Sequence, residues 1–290
     1  MIKWPDNLID DLVHGRCVLF LGSGISSNST NKDGLRPPTW HQLLSKAKKK
    51  VSKRSTKVAI QNCLDRYDYL MACELIKNAM GFERFTDFLT EEFQTPSFNP
   101  AEVHKHIFNL DAPVVITPNF DQIYDTYVTR EANSTIPILE YDSDHIISRI
   151  RSGKPIVLKI HGSIKEPGKL IFSKKDYAKA RNEYASFYKL LESLILTKTF
   201  LFLGAGLNDP DIQLLLENYC FQYNNSRKHF FVIRDKLYPK EELAVYEDTL
   251  NLSFLKYKWD DKAKSHQDFL DSIADLVIQV DEVRSKLKLS

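Results

Sequence analysis

Two short apolar runs that each end in a glycine turn constrain the fold of this chain more than any other feature. Val18–Leu21 leads into GSG at 22–24, and Phe200–Leu203 leads into GAG at 204–206. A continuous apolar run that stops at glycine is typical of a buried parallel strand followed by a tight turn. We therefore expect both runs to be strands of one sheet that is covered on both faces.

Three more runs of the same kind extend this sheet, namely Pro113–Thr117, Pro155–Ile160 and His229–Ile233. Helical patterns lie between them, most clearly over 187–195, where apolar residues recur at i, i+3, i+4, i+7 and i+8. Strands that alternate with helices indicate an α/β fold with a doubly wound, Rossmann-like parallel sheet.

The stretch 39–110 is too long for a single helix that connects the first two strands. Helix-spaced apolar residues at 67–75 and 85–89 favour an inserted helical module packed over the carboxyl edge of the sheet. A last amphipathic helix is predicted over 269–280, with no residues after it for a second domain. The prediction is one domain over 1–290 that contains the 39–110 insertion.

Composition narrows the function classes without choosing one. Forty basic and 38 acidic residues leave a formal charge of +2, so nothing requires nucleic acid or an anionic membrane as a partner. The longest apolar runs are far shorter than the roughly 20 residues that span a bilayer, and the chain starts without a signal-peptide pattern, so we expect a cytoplasmic protein. The basic run over 46–54 fits either a solvated helix face or a contact with a protein or nucleic-acid partner.

The cysteines predict reduced side chains rather than a metal centre. Cys17, Cys63, Cys73 and Cys220 are widely scattered, and none belongs to a C-x-x-C pair. This spacing argues against a zinc site and against a disulfide framework. No metal is therefore predicted.

Polar motifs follow three of the predicted strands directly. They are GSGIS at 22–26, TPNFD at 117–121 and HGS at 161–163. The carboxyl ends of parallel strands meet at one edge of a sheet, where ligands of doubly wound folds bind. Each motif alone also fits a plain turn or a buried hydrogen-bonded group, but their joint placement favours one shared crevice.

In this order, the three motifs resemble the sirtuin signatures, which are the NAD loop, the T-x-N-x-D turn and the catalytic His-Gly. The stretches 170–177 and 204–211 are similar to segments of sirtuin-like proteins from bacterial anti-phage systems. Sirtuin deacylases carry two C-x-x-C pairs after the His-Gly strand, whereas 164–186 contains no cysteine here. The arginine-bearing stretch of the family is also unrecognisable over 35–40. The resemblance therefore points to the zinc-less branch, and implies hydrolysis of NAD to nicotinamide and ADP-ribose.

The resemblance also implies roles for the polar residues. Asn119 would orient the ribose or the attacking water, and His161 would take a proton, as histidine can near neutral pH. Asp121 would bind the nicotinamide carboxamide, or instead cap the next helix. The residues expected to bind the rest of NAD are Gly22, Ser23, Gly24, Ile25, Ser26, Thr117, Gly204, Gly206 and Asn208.

Control of such an enzyme is expected to lie outside the chain, because unregulated loss of NAD would be lethal. The resemblance implies a homo-oligomer, and a protein partner such as a hexameric HerA-like translocase ATPase or a short Argonaute. Nucleic acid would be contacted at most through that partner, and no membrane is involved. Two alternatives stay open, an ADP-ribosyltransferase or protein deacylase and a non-catalytic scaffold that senses NAD or ADP-ribose.

Overall fold

A computed structural model describes residues 1–207, 212–217, 227–260 and 265–288. These residues form a seven-stranded parallel sheet in the order β3-β4-β2-β1-β5-β6-β7. The strands are β1 Cys17–Leu21, β2 Val114–Thr117, β3 Ile138–Glu140, β4 Ile156–Lys159, β5 Thr199–Leu203, β6 His229–Arg234 and β7 Leu252–Tyr257. The predicted parallel α/β sheet is confirmed.

Helices connect these strands. They are α1 Asp6–Val13, α2 Ser23–Ser26, α3 Trp40–Lys50, α4 Arg54–Asp65, α5 Tyr69–Met80, α6 Phe82–Phe93, α7 Glu102–Asn109, α8 Ile123–Glu131, α9 Ile146–Arg151, α10 Lys174–Glu183, α11 Ala185–Thr197, α12 Lys240–Thr249 and α13 Gln267–Lys288. Residues 212–217 are also helical, and Pro167–Lys169 forms a 3-10 turn. Across the described ranges, no helix has both the length and the apolar character needed to cross a membrane.

Two helical layers cover the sheet, as a doubly wound fold requires. One face packs against α9, α10 and α11, and the opposite face packs against α1, α7, α8 and α13. Strands β1, β2, β4, β5 and β6 coincide with the predicted runs, and the first three and β5 are buried along their whole length. The sequence prediction missed the two edge strands, because an edge strand has one neighbour and alternates in exposure, as β7 does.

The order of the strands places a switch point between β1 and β5. From β1 the chain builds β2, β3 and β4 on one side, and it then returns to build β5, β6 and β7 on the other. A crevice opens outside the carboxyl ends of the strands at such a point. Both glycine turns lie there, since one follows β1 and the other follows β5.

Helices α3 to α6 form a compact group with its own apolar cluster, which includes Phe120 and Phe172 from loops at the carboxyl edge of the sheet. Thr39 starts α3 with a capping box that it shares with Gln42, and Asp68 caps α5. In contrast, α7 packs with α8 and α13 in a sheet-covering layer. The insertion limits 39–110 stay a prediction.

Candidate functional site

A cavity of about 390 Å³ opens over the carboxyl ends of β1, β2 and β4. Its polar lining comes from all three predicted motifs, from the turn after β5, from the start of α5 and from α10. The polar and glycine positions that line it are Gly22, Ser23, Ser26, Tyr67, Asp68, Tyr69, Asn119, Asp121, His161, Tyr177 and Gly206. The structure thus brings together residues that lie far apart along the chain.

The two glycine turns pack backbone against backbone. The N–H of Gly22 donates to the carbonyl of Leu203, and the N–H of Gly24 donates to the carbonyl of Gly204, each at 2.9 Å. A Cβ atom on Gly22 would lie 2.4 Å from the Cα of Ala205. Close packing therefore accounts for glycine at 22 and 24, and their predicted contact with a diphosphate stays a prediction.

The second turn contains glycines with different surroundings. Gly204 has a φ of +60°, and a Cβ atom there would lie 2.6 Å from the amide nitrogen of Ile25. Gly206 lines the cavity, and a Cβ atom there would meet no heavy atom within 4 Å. Asn208, the third predicted residue of this turn, lies outside the described residues.

Asn119 is held against the first motif. Its Nδ2 donates to the Oγ of Ser26 at 3.1 Å, and its backbone N–H donates to the Oγ1 of Thr117 at 3.1 Å. Thr117 in turn donates to the carbonyl of Leu21 at 2.7 Å. Thr117 thus joins the ends of β1 and β2 beneath the cavity, and Ile25 is buried in the apolar layer below.

Asp121 contacts the backbone at the start of α8. Its Oδ1 accepts the N–H of Ile123, the first residue of α8, at 3.0 Å. The same side chain is 6% exposed and lines the cavity. Gln122 holds the cap position of α8 and has no side-chain capping bond, so helix capping by Asp121 and its binding of a carboxamide both stay predictions.

His161 is only 1% exposed and meets Tyr177, a residue to which the sequence analysis gave no role. The Tyr177 hydroxyl lies 3.3 Å from Nδ1 of His161, and the two rings meet edge to face at 4.9 Å. Helix α10 carries Tyr177 and starts with a capping box between Ser173 and Asp176. That S-x-x-D spacing is the signal that places Tyr177 in the first turn.

We call Ser26, Asn119 and His161 the polar floor of the cavity. Four aromatic residues, Trp40, Tyr69, Phe120 and Phe172, also line the cavity, and we call them the aromatic wall. In this wall, Trp40 stacks on Phe172 with ring centroids 4.7 Å apart and planes 15° apart, and Phe120 lies 5.0 Å from Phe172. No role in a site was predicted from the sequence for these four residues.

The side chain types that bind metals do not cluster at this site within the part of the chain that is described. No group of three or more His, Cys, Asp or Glu side chains there is arranged to hold a metal ion. Cys17, Cys63 and Cys73 are buried free thiols, and Cys220 lies outside the described residues. What the cavity offers is an amide, an imidazole, hydroxyls and aromatic faces.

Comparisons with known proteins find relatives among bacterial NAD(+) hydrolases and sirtuins. The chain is 23% identical over 232 residues to the NAD(+) hydrolase ThsA of Acinetobacter baumannii, covering 79% of this chain and 44% of that protein. It is 25% identical over 248 residues to Defense-associated sirtuin 2 of Bacillus subtilis, covering 83% of this chain and 23% of that protein. The chain thus spans less than half the length of these curated relatives.

Among solved structures, cytosolic 5'-nucleotidase IIIB bound to cytidine aligns with 98% of this chain and 92% of its own, at 14% identity and a TM-score of 0.41. That likeness is too weak to support an inference. The family model of the SIR2-like domain matches residues 113–255, which include the strands that lead into Asn119 and His161. This match shows that residues 113–255 form a SIR2-like domain, so this part of the chain belongs to the sirtuin-like family.

Proposed function

We propose that this chain hydrolyses NAD to nicotinamide and ADP-ribose. The observation that carries the proposal is the contact of Asn119 with Ser26 in the same cavity that His161 lines. Relatives named NAD(+) hydrolase support it, and so does the absence of a C-x-x-C pair in the sequence. The residue that would hold the attacking water, the residue that would accept its proton and the glycine loop then share one cavity.

In this mechanism the bond between the anomeric carbon and the nicotinamide nitrogen breaks, and its electron pair neutralises the pyridinium ring. A cation-like transition state develops at the anomeric carbon, and water adds there. Asn119 holds the ribose or the incoming water, and His161 takes the proton that water loses. The Tyr177 hydroxyl at Nδ1 fixes the orientation of the imidazole.

A second cavity of about 270 Å³ suits the adenosine end of the substrate. It lies beside the packed glycine turns and includes Arg234, Tyr257 and His266 in its lining. Ala205 borders both cavities. We therefore place nicotinamide ribose in the first cavity, adenosine in the second, and the diphosphate near the loop at 22–26.

We further propose that hydrolysis serves anti-phage defence and is controlled by self-assembly or by a partner. The name of the Bacillus subtilis relative supports a role in defence. The partner classes remain those implied by the resemblance, a HerA-like hexameric ATPase or a short Argonaute. Size measurement of the chain with and without such a partner tests this proposal.

The test of hydrolysis is release of nicotinamide and ADP-ribose from NAD, followed by chromatography with and without an acetyl-lysine peptide. We expect peptide-independent release, and a loss of at least about 100-fold in Asn119→Ala and in His161→Ala. Asn78→Ala and His145→Ala are matched controls, because both side chains are exposed and lie outside the cavity lining. Full activity in either floor variant contradicts the mechanism, and peptide-dependent release favours the deacylase alternative.

A further inference from the structure

Lys159 is a fully buried lysine directly below the proposed catalytic residues. It ends β4, two residues before His161, and its side chain is 1% exposed. Its Nζ lies 2.9 Å from Oδ2 of Asp125 on α8, whose side chain is 5% exposed. The same Nζ donates to the backbone carbonyl of Asp121 at 2.6 Å.

These contacts tie two of the signature motifs to each other. Lys159 belongs to the strand that leads into His161, whereas its acceptors belong to the turn and helix that follow Asn119. Thr117 and Lys159 are also register partners of β2 and β4. One ammonium group thus connects the segment that follows Asn119 to the strand that leads into His161.

Stability alone does not explain a charged pair at this position. Removing two charges from water is costly, and an apolar pair of similar volume often gives equal or greater stability. A second acid adds to the local charge, since Glu140 is the register partner of Lys159 on β3. Its Oε2 is buried and has no hydrogen-bond partner among the described residues. The Lys159 ammonium group therefore contacts the Asp125 carboxylate and the Asp121 carbonyl, with Glu140 on the neighbouring strand.

We propose that Lys159 and Asp125 form a positioning pair that sets the separation of Asn119 and His161. This inference rests on the proposed hydrolysis of NAD. Neither residue lines the cavity, so neither is expected to contact the substrate. The pair acts on the geometry of the bond-breaking step, where small displacements of reacting groups lower the rate strongly.

The test replaces the pair by apolar side chains of similar size, Lys159→Met with Asp125→Leu. The double variant avoids the unpaired buried charge that either single change would leave. We expect kcat to fall about 10- to 100-fold while KM changes less than about threefold, because binding contacts are kept. Lys198→Met is the matched control, since Lys198 also donates to a backbone carbonyl, that of Gly15, at the opposite edge of the sheet.

A readout that does not depend on turnover separates this inference from the proposed function. We expect the ring nitrogen signals of His161 in ¹⁵N NMR to shift in the folded double variant and to stay unchanged in Lys198→Met. Wild-type protein that releases no nicotinamide, either alone or co-expressed with its genomic neighbours, contradicts the proposed function, and the NMR comparison still tests the pair. An unchanged kcat, or unchanged His161 signals in a folded double variant, overturns the positioning role.

Discussion

The polar floor and the aromatic wall of the cavity come from different kinds of structure. Floor residues stand at or just after the ends of parallel strands, where the topology of the sheet brings them together. Wall residues Trp40 and Tyr69 belong to the inserted helices, where Tyr69 stacks on Trp40 and Trp40 stacks on Phe172. The floor thus depends on strand order, whereas the wall depends on how the helical group docks on the sheet.

The floor and the wall are therefore expected to have different roles. The floor supplies the amide and imidazole that act on a bond, and the wall supplies apolar faces that exclude water from it. An ion pair between Lys77 on α5 and Asp176 on α10, with Nζ and Oδ2 2.7 Å apart, links the inserted helices to the helix that carries Tyr177. Damage to the wall should therefore affect folding and substrate affinity before it affects the chemical step.

The largest expected effect on folding is at the centre of the wall. Phe172 is 1% exposed and contacts the rings of Trp40, Phe85 and Phe120. Phe172→Ala should lower the free energy of unfolding by about 3–5 kcal/mol, through lost burial and the cavity left behind. Urea denaturation measures this loss. Phe82→Ala is the control, because Phe82 is 58% exposed and should change stability by less than about 1 kcal/mol.

A loss at Phe172 no larger than at Phe82 would show that the wall is loosely packed, and the contrast with the floor would then fail. If Phe172→Ala stays folded, we also expect its KM for NAD to rise more than its kcat falls. The reverse pattern would assign the wall a part in the chemical step.

The next largest expected effect is also on stability. It distinguishes glycines that close backbone packing requires from a glycine that lines the cavity. Gly22→Ala and Gly204→Ala place a Cβ atom against backbone of the opposite turn, at 2.4 Å and 2.6 Å. We expect each to cost about 2–3 kcal/mol, with added left-handed strain at Gly204. Gly206→Ala has open space and should change stability by less than about 0.5 kcal/mol. Equal melting temperatures for all three variants would refute the packing explanation.

The smallest expected change in stability, taken per pH unit, comes from two buried histidines as the pH falls. Burial lowers the pKa of His104 on α7 and of His229 on β6 from 6.5 to about 4. Between those values only the unfolded chain takes up the protons, so stability present above pH 6.5 is lost as the pH falls towards 4. Each histidine contributes at most about 1.4 kcal/mol per pH unit.

Urea midpoints measured from about pH 7.5 to about pH 5 check this slope. His104→Gln should reduce the slope of stability against pH by about 1.4 kcal/mol per pH unit, which corresponds to one proton. A slope that His104→Gln leaves unchanged would contradict the assignment of His104 as a neutral buried histidine.

The sequence predicted the floor well because strand ends can be read from local pattern. Continuous apolar runs marked the five inner strands, and parallel topology then brought Asn119 and His161 to one edge. Edge strand β3 has three residues, all partly exposed, and gives no such run. A local pattern of that length does not distinguish a strand from a loop.

The wall, Tyr177 and Lys159 were not predictable because their roles arise from contacts distant in sequence. An aromatic stripe has the same spacing whether it faces a core or a cavity, so Trp40 gave no signal of its position. Lys159 interrupts an apolar strand, and its reason, the carboxylate of Asp125 on another element, appears only in the folded chain. Gly22 matched a nucleotide-loop pattern, yet packing against Ala205 already requires a glycine there.

The most direct test of the account is a crystal structure of the His161→Ala variant with NAD bound. We predict that the nicotinamide ribose lies within hydrogen-bond distance of Asn119, beside Ser26, with the nicotinamide ring on the side of the aromatic wall. NAD bound outside this cavity, or bound with its anomeric carbon away from Asn119 and from the position of the missing imidazole, would contradict it.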